Sequence, residues 1–464
     1  MPDRRTFLKQ TSAGLLALPW VQRIAGAEAQ PAPAAARSFS ISNQLRLSVR
    51  DFGAAGDGEK KDTAAFQTAL DRCGVLGGGV VVVPAGRYLI GSTQLRSHVT
   101  LRLEKDAVLA GSPEEDDYPL TQIRWEGKWV EGHIGLLYAM DAQNIAIVGE
   151  GRIEGFTPAH VQPNSEIKQR RPVLIEPIRC SGILLEGFST HYHGIWSIHP
   201  TACEDLIARN LTIRSEGGNG DGIDVDSCRR VRIEHCDIAT GDDCISLKSG
   251  RGSEGFLLAQ PTEDVTISDC TFADSLFACI GIGSEASGGI RRVRIERCRF
   301  SGAKSNAIYI KTHVGRGGTI EEITAEDLRI SGVEGAAFRF NLVSSGKQDE
   351  NPVPGAEGIP TVRNIRYARI HVDGAPQLVE AVNCHPGKPL DGFSLTHVSG
   401  SAARGIYLAN MRNVEIADVR LNGLTTPLLN LANVTGKGLD NAARIDAPSV
   451  ESAIAAPAES YHLR

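Results

Sequence analysis

Three aspartates in the middle of the chain stand in two short glycine-containing motifs. Asp221 lies in an Asn-Gly-Asp-Gly motif at 219–222, and Asp242 and Asp243 lie in a Gly-Asp-Asp motif about one turn of a repeat later. If these carboxyl groups come close together, their repulsion raises some pKa values, so that one group holds a proton while another is ionised. Such a set can act as general acid and general base in a hydrolysis. Two other interpretations are open, because aspartates in such motifs also form turns or bind cations.

The elements that would position these aspartates are visible as a repeat. A short segment of alternating apolar and polar residues recurs at intervals of 21 to 34 residues. One longer interval, of 42 residues, contains the Pro/Gly-rich segment 348–360. Repeats of this length with a period of two predict an all-β solenoid of stacked strands. The repeated segments start at Ile183, Leu206, Val231, Val265, Val293, Ile323, Ile365, Phe393 and Val414.

A second apolar strand in each repeat fixes the position of the aspartates. Asp221 stands two residues before Ile223, and Asp243 stands two residues before Ile245. Since coils of a β-solenoid stack at about 4.8 Å, these carboxylates should lie one above the other, with Asp242 beside them. This stacking favours a catalytic set over independent turns. The aligned pairs are Ile223/Val225, Ile245/Leu247, Ile280/Ile282, Ile308/Ile310 and Phe338/Phe340.

Residues between the apolar positions of this strand form two outward columns. Lys248 and Lys311 should point outward beside the acids, with Arg339 further along, and such cations suit the binding of a sugar carboxylate. Either lysine alone could instead be solvated surface or pair with a neighbour such as Asp226. The columns are Asp224, Ser246, Gly281, Tyr309 and Arg339, and Asp226, Lys248, Gly283, Lys311 and Asn341.

Of the ten cysteines, Cys180, Cys203, Cys228, Cys236, Cys270 and Cys298 fall on inward columns of the repeat. At inward positions they act as small apolar side chains, so we expect neither disulfides nor a metal site.

One helix is predicted near the start of the solenoid. Asp62 and Thr63 could cap a segment from Ala64 to Cys73, which should cover the open N-terminal coil. Its apolar face would consist of Ala65, Phe66, Ala69, Leu70 and Cys73.

The N-terminal residues are typical of an export signal. A twin-arginine pattern at 4–9 leads into an apolar stretch at 12–21 and small residues at 25–29, which predicts export through the Tat translocase to the periplasm or the medium. We expect a signal peptide at 1–29, a disordered linker at 30–45, a β-helix catalytic domain at 46–450 and a C-terminal tail at 451–464. No later apolar run is long enough to suggest membrane insertion. A net charge of −6 without a basic stripe argues against a nucleic-acid partner.

The motifs, taken in order, resemble the signatures of glycoside hydrolase family 28, the polygalacturonases and their relatives. The matching segments are Asn-Gly-Asp-Gly at 219–222, Gly-Asp-Asp-Cys-Ile-Ser-Leu-Lys-Ser at 241–249, Ile-Gly-Ser-Glu at 282–285 and Ile-Lys-Thr at 310–312. Trp196 to Pro200 resembles an element of bacterial exo-acting members, and Val49 to Ala54 resembles the entry segment of the pectate-lyase-like superfamily. The resemblance implies a right-handed, single-stranded parallel β-helix that acts as a monomer on pectic polysaccharide or oligosaccharide.

The resemblance also implies roles for individual residues. Asp242 would be the general acid, while Asp221 and Asp243 would position and deprotonate the attacking water. The reaction would invert the anomeric centre, which usually requires about 6.5–9.5 Å between acid and base, and would need no metal or cofactor. The substrate-binding residues would be Asn219, Lys248, Lys311, Tyr309, His199, Trp196 and Arg339.

Two positions depart from the family pattern. A histidine expected before the Ile-Gly-Ser run is replaced by Phe277 or Ala278, depending on the alignment, and the arginine of Arg-Ile-Lys is replaced by Tyr309. Gly220, in place of threonine, is a smaller change. The substrate could therefore be a sugar other than plain galacturonate, with Tyr309 stacking on it, or Arg339 could replace the missing arginine.

Two further classes stay open: a β-helix that binds carbohydrate without cleaving it, and a calcium-dependent lyase. Independently of class, the insertion at 250–262 follows Lys248 closely and could wall off one end of a cleft.

Overall fold

The computed structural model of the protein describes residues 45–155, 172–192 and 195–455. These residues belong to one compact unit, which spans 38–464. The expected signal peptide, all of the linker but Leu45, and residues 456–464 of the tail lie outside the described ranges.

The described chain winds through three parallel sheets, and successive coils add one strand to each sheet. Sheet 1 contains Arg46–Ser48, Gly79–Val83, Val99–Leu103, Gln143–Gly149, Ser181–Glu186, Glu204–Arg209, Arg229–Glu234, Thr262–Ser268 and Ile290–Glu296. Sheet 2 contains Asp57–Lys61, Gly86–Ile90, Ala107–Gly111, Arg152–Glu154, Ser189–His191, Thr212–Arg214, Asp237–Ala239, Thr271–Ser275 and Arg299–Ala303. Sheet 3, which carries the aspartates, contains Thr93–Gln94, Leu137–Met140, Ile175–Ile178, Ile223–Asp226, Ile245–Lys248, Ile280–Ile282, Ile308–Lys311 and Ala336–Asn341.

Towards the C-terminus the strands lengthen and pass from one sheet into the next without a break. These strands are Thr319–Val333, Thr361–Asn383 and Leu390–Asn422, followed by Leu429–Lys437 and Ala443–Arg444. The pairing confirms the repeat predicted from the sequence: Ile183 lies opposite Leu206, and the same register continues to Phe393. The fold is a right-handed parallel β-helix, with one continuous apolar core inside the coils.

The cysteines behave as predicted. All ten are free and buried. The backbone N–H of Cys180 donates to Cys203 Sγ at 3.4 Å, and that of Cys203 donates to Cys228 Sγ at 3.3 Å. These three thiols therefore form one internal column and accept hydrogen bonds from backbone donors between coils.

The capping helix is present as Thr63–Val75, and its buried face consists of the five residues predicted. The expected cap differs, because the Asp62 side chain makes no hydrogen bond to the helix. Its carboxylate instead accepts the backbone N–H groups of Ala55 and Gly56 at 2.7 and 2.9 Å. Asp62 thus ties the helix to the entry segment. The other helices are Gly252–Leu258 and Val450–Ala455, with 3-10 turns at Val49–Phe52, Glu115–Asp117 and Gly355–Gly358.

A β-hairpin interrupts the coils in the region of sheet 3, and no part of the sequence repeat predicts it. Its strands, Leu120–Trp125 and Lys128–His133, pair antiparallel around a tip at Glu126 and Gly127. The hairpin packs over the outer face of sheet 3, where Trp125 lies 6.0 Å from Trp196 between ring centroids. Within the described ranges, no helix is long and apolar enough to cross a membrane.

Candidate active site

The three aspartates meet at the start of two neighbouring strands of sheet 3. Ile223 pairs with Ile245, so the turns that precede these residues stack on each other. One oxygen from each of Asp221, Asp242 and Asp243 lies within 4.8 Å of the others. The stacking predicted from the repeat is therefore confirmed, and three acids share a volume in which they interact strongly.

Asp243 is the aspartate with the most direct partners. Lys311 Nζ donates to its Oδ2 at 2.7 Å, and Ser246 Oγ lies 3.3 Å from the same oxygen. The backbone N–H of Ala278 donates to Oδ1 at 3.2 Å. These contacts hold the carboxylate in one orientation and place a positive charge beside it.

Asp242 is the most solvent-accessible of the three. Its carboxylate accepts the backbone N–H of Asp243 at 2.9 Å and that of Asn219 at 3.3 Å. Burial and the neighbouring charge of Asp243 raise the pKa of Asp242 to about 6, against the opposing effects of Lys311 and Lys248. A carboxyl group with this pKa can donate a proton under mildly acidic conditions.

Asp221 is buried and lies 4.0 Å from Lys248 Nζ. Burial raises the pKa of Asp221 well above its usual value, and the charges of Asp224 and Asp242 add to this effect. The pKa values of Asp221 and Asp242 are therefore both raised by burial and by the charge of a neighbouring aspartate.

The two lysines point away from the core, as their columns predict, yet both are buried, at 6% exposure for Lys248 and 9% for Lys311. The interpretation as solvated surface is therefore wrong. Lys248 Nζ lies 2.5 Å from Asp224 and 3.9 Å from the centre of the Trp196 ring. Asp226, the partner considered from sequence, instead lies 3.3 Å from Arg124 of the hairpin. The lysines are thus fixed charges in the wall of the site.

His199 supports this wall from behind. It is fully buried, its Nε2 lies 3.4 Å from Thr201 Oγ1, and its ring centroid lies 4.6 Å from that of Trp196. Burial lowers the pKa of His199 to about 3, so the ring is neutral.

Tyr309 and Arg339 also lie behind the surface of the cleft. Tyr309 is fully buried, and its hydroxyl lies 3.3 Å from Ser345 Oγ. The Arg339 guanidinium covers the Tyr309 ring at 5.2 Å from the centroid and lies 3.6 Å from Glu380. In contrast to Tyr309, Phe277 lines the cleft, and its ring centroid lies 4.4 Å from Lys311 Nζ. Ala278 is buried behind it.

The triad and the two lysines line an open cleft with about 830 Å³ of space, part of it open to solvent. Of the residues expected from the sequence, seven line it: Trp196, Asn219, Asp221, Asp242, Asp243, Lys248 and Lys311. Asn219 is exposed at the rim.

Two carboxylates in the cleft, Glu285 and Glu126, were missed. Glu285 belongs to the Ile-Gly-Ser-Glu segment, but its repeat position gave it no chemical role. Burial alone would raise its pKa, yet Lys248, Arg316 and Lys311 hold the pKa of Glu285 at about 2. Glu126 lies at the tip of the hairpin, which no sequence column predicts.

The triad has the oxygen ligands that a divalent cation prefers. Two of the three carboxylates, however, already face buried ammonium groups, Asp221 that of Lys248 and Asp243 that of Lys311. These charges already offset much of the negative charge, so the geometry favours proton transfer over cation binding.

Known proteins share this sequence and architecture. The profile of glycosyl hydrolases family 28 matches residues 73–424. The chain is 31% identical over 366 residues to a probable polygalacturonase of Vitis vinifera, an alignment that covers 76% of this chain and 73% of the relative. A solved exopolygalacturonase of Thermotoga maritima is 26% identical, with a TM-score of 0.73 and coverage of 82% of this chain and 94% of that one.

A second solved structure, a family 28 exopolygalacturonase of Yersinia enterocolitica, is similar in fold, with a TM-score of 0.75 at 20% identity and coverage of 84% of this chain and 78% of that one. The family profile spans most of the described β-helix and includes all three aspartates. The chain therefore belongs to glycosyl hydrolases family 28 and is a glycoside hydrolase, an enzyme that hydrolyses O-glycosyl bonds.

Proposed function

We propose that this chain is an exported enzyme that cleaves galacturonan-type or rhamnogalacturonan-type pectic chains by a single inverting displacement. Asp242 protonates the glycosidic oxygen, and Asp221 and Asp243 hold and deprotonate the attacking water. The observation that carries this assignment is the triad itself, with three carboxylate oxygens within 4.8 Å of one another.

The acid role falls to Asp242 because it combines access with a raised pKa. Its carboxyl group is the least buried of the three and has a pKa of about 6. Asp243 accepts a hydrogen bond from Lys311 Nζ at 2.7 Å, so an ammonium group occupies one of its oxygens. The contact with Lys311 thus distinguishes Asp243 from Asp242.

The stereochemistry needs its own test, since 4.8 Å is shorter than the separation of about 6.5–9.5 Å typical of inverting enzymes. A water molecule can still bridge oxygens of Asp221 and Asp243 at this distance, because two hydrogen bonds of about 2.7–2.8 Å span it. Proton NMR of the first product tests this point. We expect the inverted anomer, and a retained anomer would show a covalent mechanism instead.

Substrate charge is matched by the cations beside the triad. Lys248 and Lys311 both line the cleft, and several curated relatives are polygalacturonases. For Arg339 to bind a substrate carboxylate, it would have to leave Glu380 and pass the Tyr309 ring. Phe277 offers the apolar surface in the cleft on which a sugar ring can stack.

The assignment is tested with Asp242→Asn. The folded wild type should release reducing ends from polygalacturonate or rhamnogalacturonan, and the variant should lose at least about 10²-fold in kcat, the usual contribution of a general acid. Thermal unfolding of both proteins controls for folding. Binding without release of reducing ends by the wild type would show a carbohydrate-binding protein, and an unsaturated product would show a lyase.

Export is the other part of the proposal and rests on the sequence at 1–29 alone. Replacing Arg4 and Arg5 together by lysine should leave the protein in the cytoplasmic fraction of an expressing bacterium. Equal amounts of both proteins in the periplasm would overturn the Tat route.

A further inference from the structure

Lys248 does not form an ion pair with the residue that lies opposite it in the sheet. The register of sheet 3 places Lys248 opposite Asp226. Its ammonium nitrogen instead lies 2.5 Å from Asp224, which stands two residues earlier on the same neighbouring strand, and 4.0 Å from Asp221. The side chain of Lys248 therefore extends back along the sheet, towards the triad.

The hairpin supplies the group that occupies Asp226. Arg124 Nε donates to Asp226 Oδ2 at 3.3 Å, and the hydroxyl of Ser227 donates to Asp226 Oδ1 at 2.8 Å. Arg124 and Asp226 are 4% and 0% exposed, and charges attract each other strongly at such buried positions. Because both oxygens of Asp226 already accept other donors, Lys248 pairs with Asp224.

The ring of Trp196 covers the same ammonium group. Lys248 Nζ lies 3.9 Å from the ring centre, and a cation–π contact of this kind is strongest when both groups are removed from solvent, as they are here. His199 packs against this ring with 4.6 Å between centroids and an interplanar angle of 67°. Trp125 of the hairpin lies 6.0 Å from it. The ammonium group is therefore held between a carboxylate and a supported aromatic ring.

The position of this ammonium group affects how easily Asp221 ionises. Burial raises the pKa of Asp221, and the charges of Asp224, Asp242 and Asp243 raise it further, whereas Lys248 lowers it. Lys248 thus favours the carboxylate form of Asp221, which is the form that can deprotonate water. The carboxylates that act on Lys248 in turn are Asp224, Glu285 and Asp221.

We propose that Arg124 is a positioning residue for hydrolysis, which directs the ammonium group of Lys248 to Asp221 by occupying the carboxylate opposite the lysine. Trp196 assists it by covering that ammonium group. Arg124 is buried, so it acts through Lys248 and not by contact with the sugar chain. This inference rests on the proposed function, because it assumes that Asp221 acts as a base.

Arg124→Met is the first test. Without the guanidinium, the carboxylate of Asp226 is free to pair with Lys248, which lies directly opposite it. Asp226 lies two residues, about 6.6 Å, further along the strand than Asp224, so the ammonium group would move away from Asp221. The acidic limb of the pH profile of kcat/KM should then shift upward by about one pH unit. Galacturonate oligosaccharides serve as substrate, since their own titration is the same for both proteins and does not affect the difference.

The double variant Arg124→Met with Asp226→Asn distinguishes positioning from a general loss of structure. An amide at 226 has no charge to attract Lys248, which should again pair with Asp224, so the acidic limb should return to its wild-type position. Glu254→Gln is the matched control. It removes the other carboxylate that Arg124 contacts, at 3.1 Å, but leaves Asp226 occupied, so it should not shift the limb.

A folded Arg124→Met variant whose acidic limb stays in place, or whose limb Asp226→Asn does not restore, would overturn the inference and leave the proposed function intact. If Arg124→Met does not fold, Trp196→Leu gives a second test. It should shift the limb upward, while Trp196→Phe, which keeps an aromatic ring beside Lys248, should shift it less. A higher KM for Trp196→Leu with an unmoved limb would also overturn the inference. Absence of hydrolysis of every pectic substrate by the wild type would instead count against the proposed function.

Discussion

The ammonium group of Lys311 lies 2.7 Å from Asp243 Oδ2, and both side chains are nearly closed to solvent. On its other side the lysine faces the ring of Phe277 at 4.4 Å. The charge of Lys311 is therefore neutralised mainly by one catalytic aspartate, and the charge of that aspartate mainly by Lys311.

Lys311→Met should be costly for stability and activity together. Removing one partner of a buried ion pair leaves an uncompensated charge, a loss of about 3–5 kcal/mol in the free energy of unfolding. Urea unfolding measures this loss. The double variant Lys311→Met with Asp243→Asn should recover most of the stability but none of the activity. If the single variant were as stable as the wild type, the pair would not carry the role given to it.

The pH dependence should report Asp242. Because its pKa is about 6 and the acid must be protonated, kcat/KM should fall about tenfold per pH unit above that value. The measurement is a pH profile on galacturonate oligosaccharides, whose carboxylates are already ionised throughout this range and do not interfere. A profile that stays flat from pH 6 to 8 would contradict the role of Asp242 as acid.

The free energy of unfolding should also depend on the protonation of Asp242. The pKa of Asp242 is raised from 3.8 to about 6 on folding, so its stabilising contribution is complete below pH 3.8 and is lost as pH rises through 6. Asp242→Asn removes this dependence. Between pH 4 and 7, the variant should lose less unfolding free energy than the wild type. Parallel curves for the two proteins would show that Asp242 titrates normally.

Phe277→His restores the residue type that family 28 usually carries near this position. An imidazole there would face the cleft beside Lys311 and could donate a hydrogen bond to a bound uronate. We expect KM for polygalacturonate to fall several-fold, while Phe277→Leu, which keeps the position apolar, should not lower it. If histidine and leucine have the same effect, the departure at this position does not set specificity.

The free cysteines predict that reducing agents do not change the stability of the protein. All ten cysteines are free, so a reducing agent should leave the thermal unfolding midpoint unchanged. Cys203→Ser places a hydroxyl at a fully buried position and should cost about 1–3 kcal/mol. A large shift of the wild-type unfolding midpoint on reduction would show that some of the cysteines form disulfides.

The β-helix was predictable because its information repeats. Each coil shows the same alternation of apolar and polar residues. A strand boundary that is ambiguous in one repeat can therefore be set by comparison with the next, and the register from Ile183 to Phe393 follows directly. The same register is sufficient to predict that Asp221 and Asp243 lie on adjacent coils in one column. Local patterns with a fixed period are what a sequence displays most clearly.

The burial of Lys248 and the hairpin over sheet 3 were not predictable in this way. Lys248 lies against the Trp196 ring, which packs on Trp125 of the hairpin. The hairpin stands outside the repeat, and its Arg124 contacts Asp226 about a hundred residues later in the chain. A column shows that a side chain points outward, but not whether another segment covers it. Arg339 illustrates the same limit, since its column is correct while its guanidinium is taken by Tyr309 and Glu380.

The hairpin makes the protein unequal in cooperativity. Coils of a solenoid contact only their neighbours and can form one after another, but Arg124 and Lys128 of the hairpin pair with Glu254 and Asp349, more than a hundred residues later in the chain. Such long-range contacts form late and open first. Mild denaturant should therefore release the hairpin while the coils persist, leaving a folded β-helix whose cleft has lost the Glu126 side of its lining.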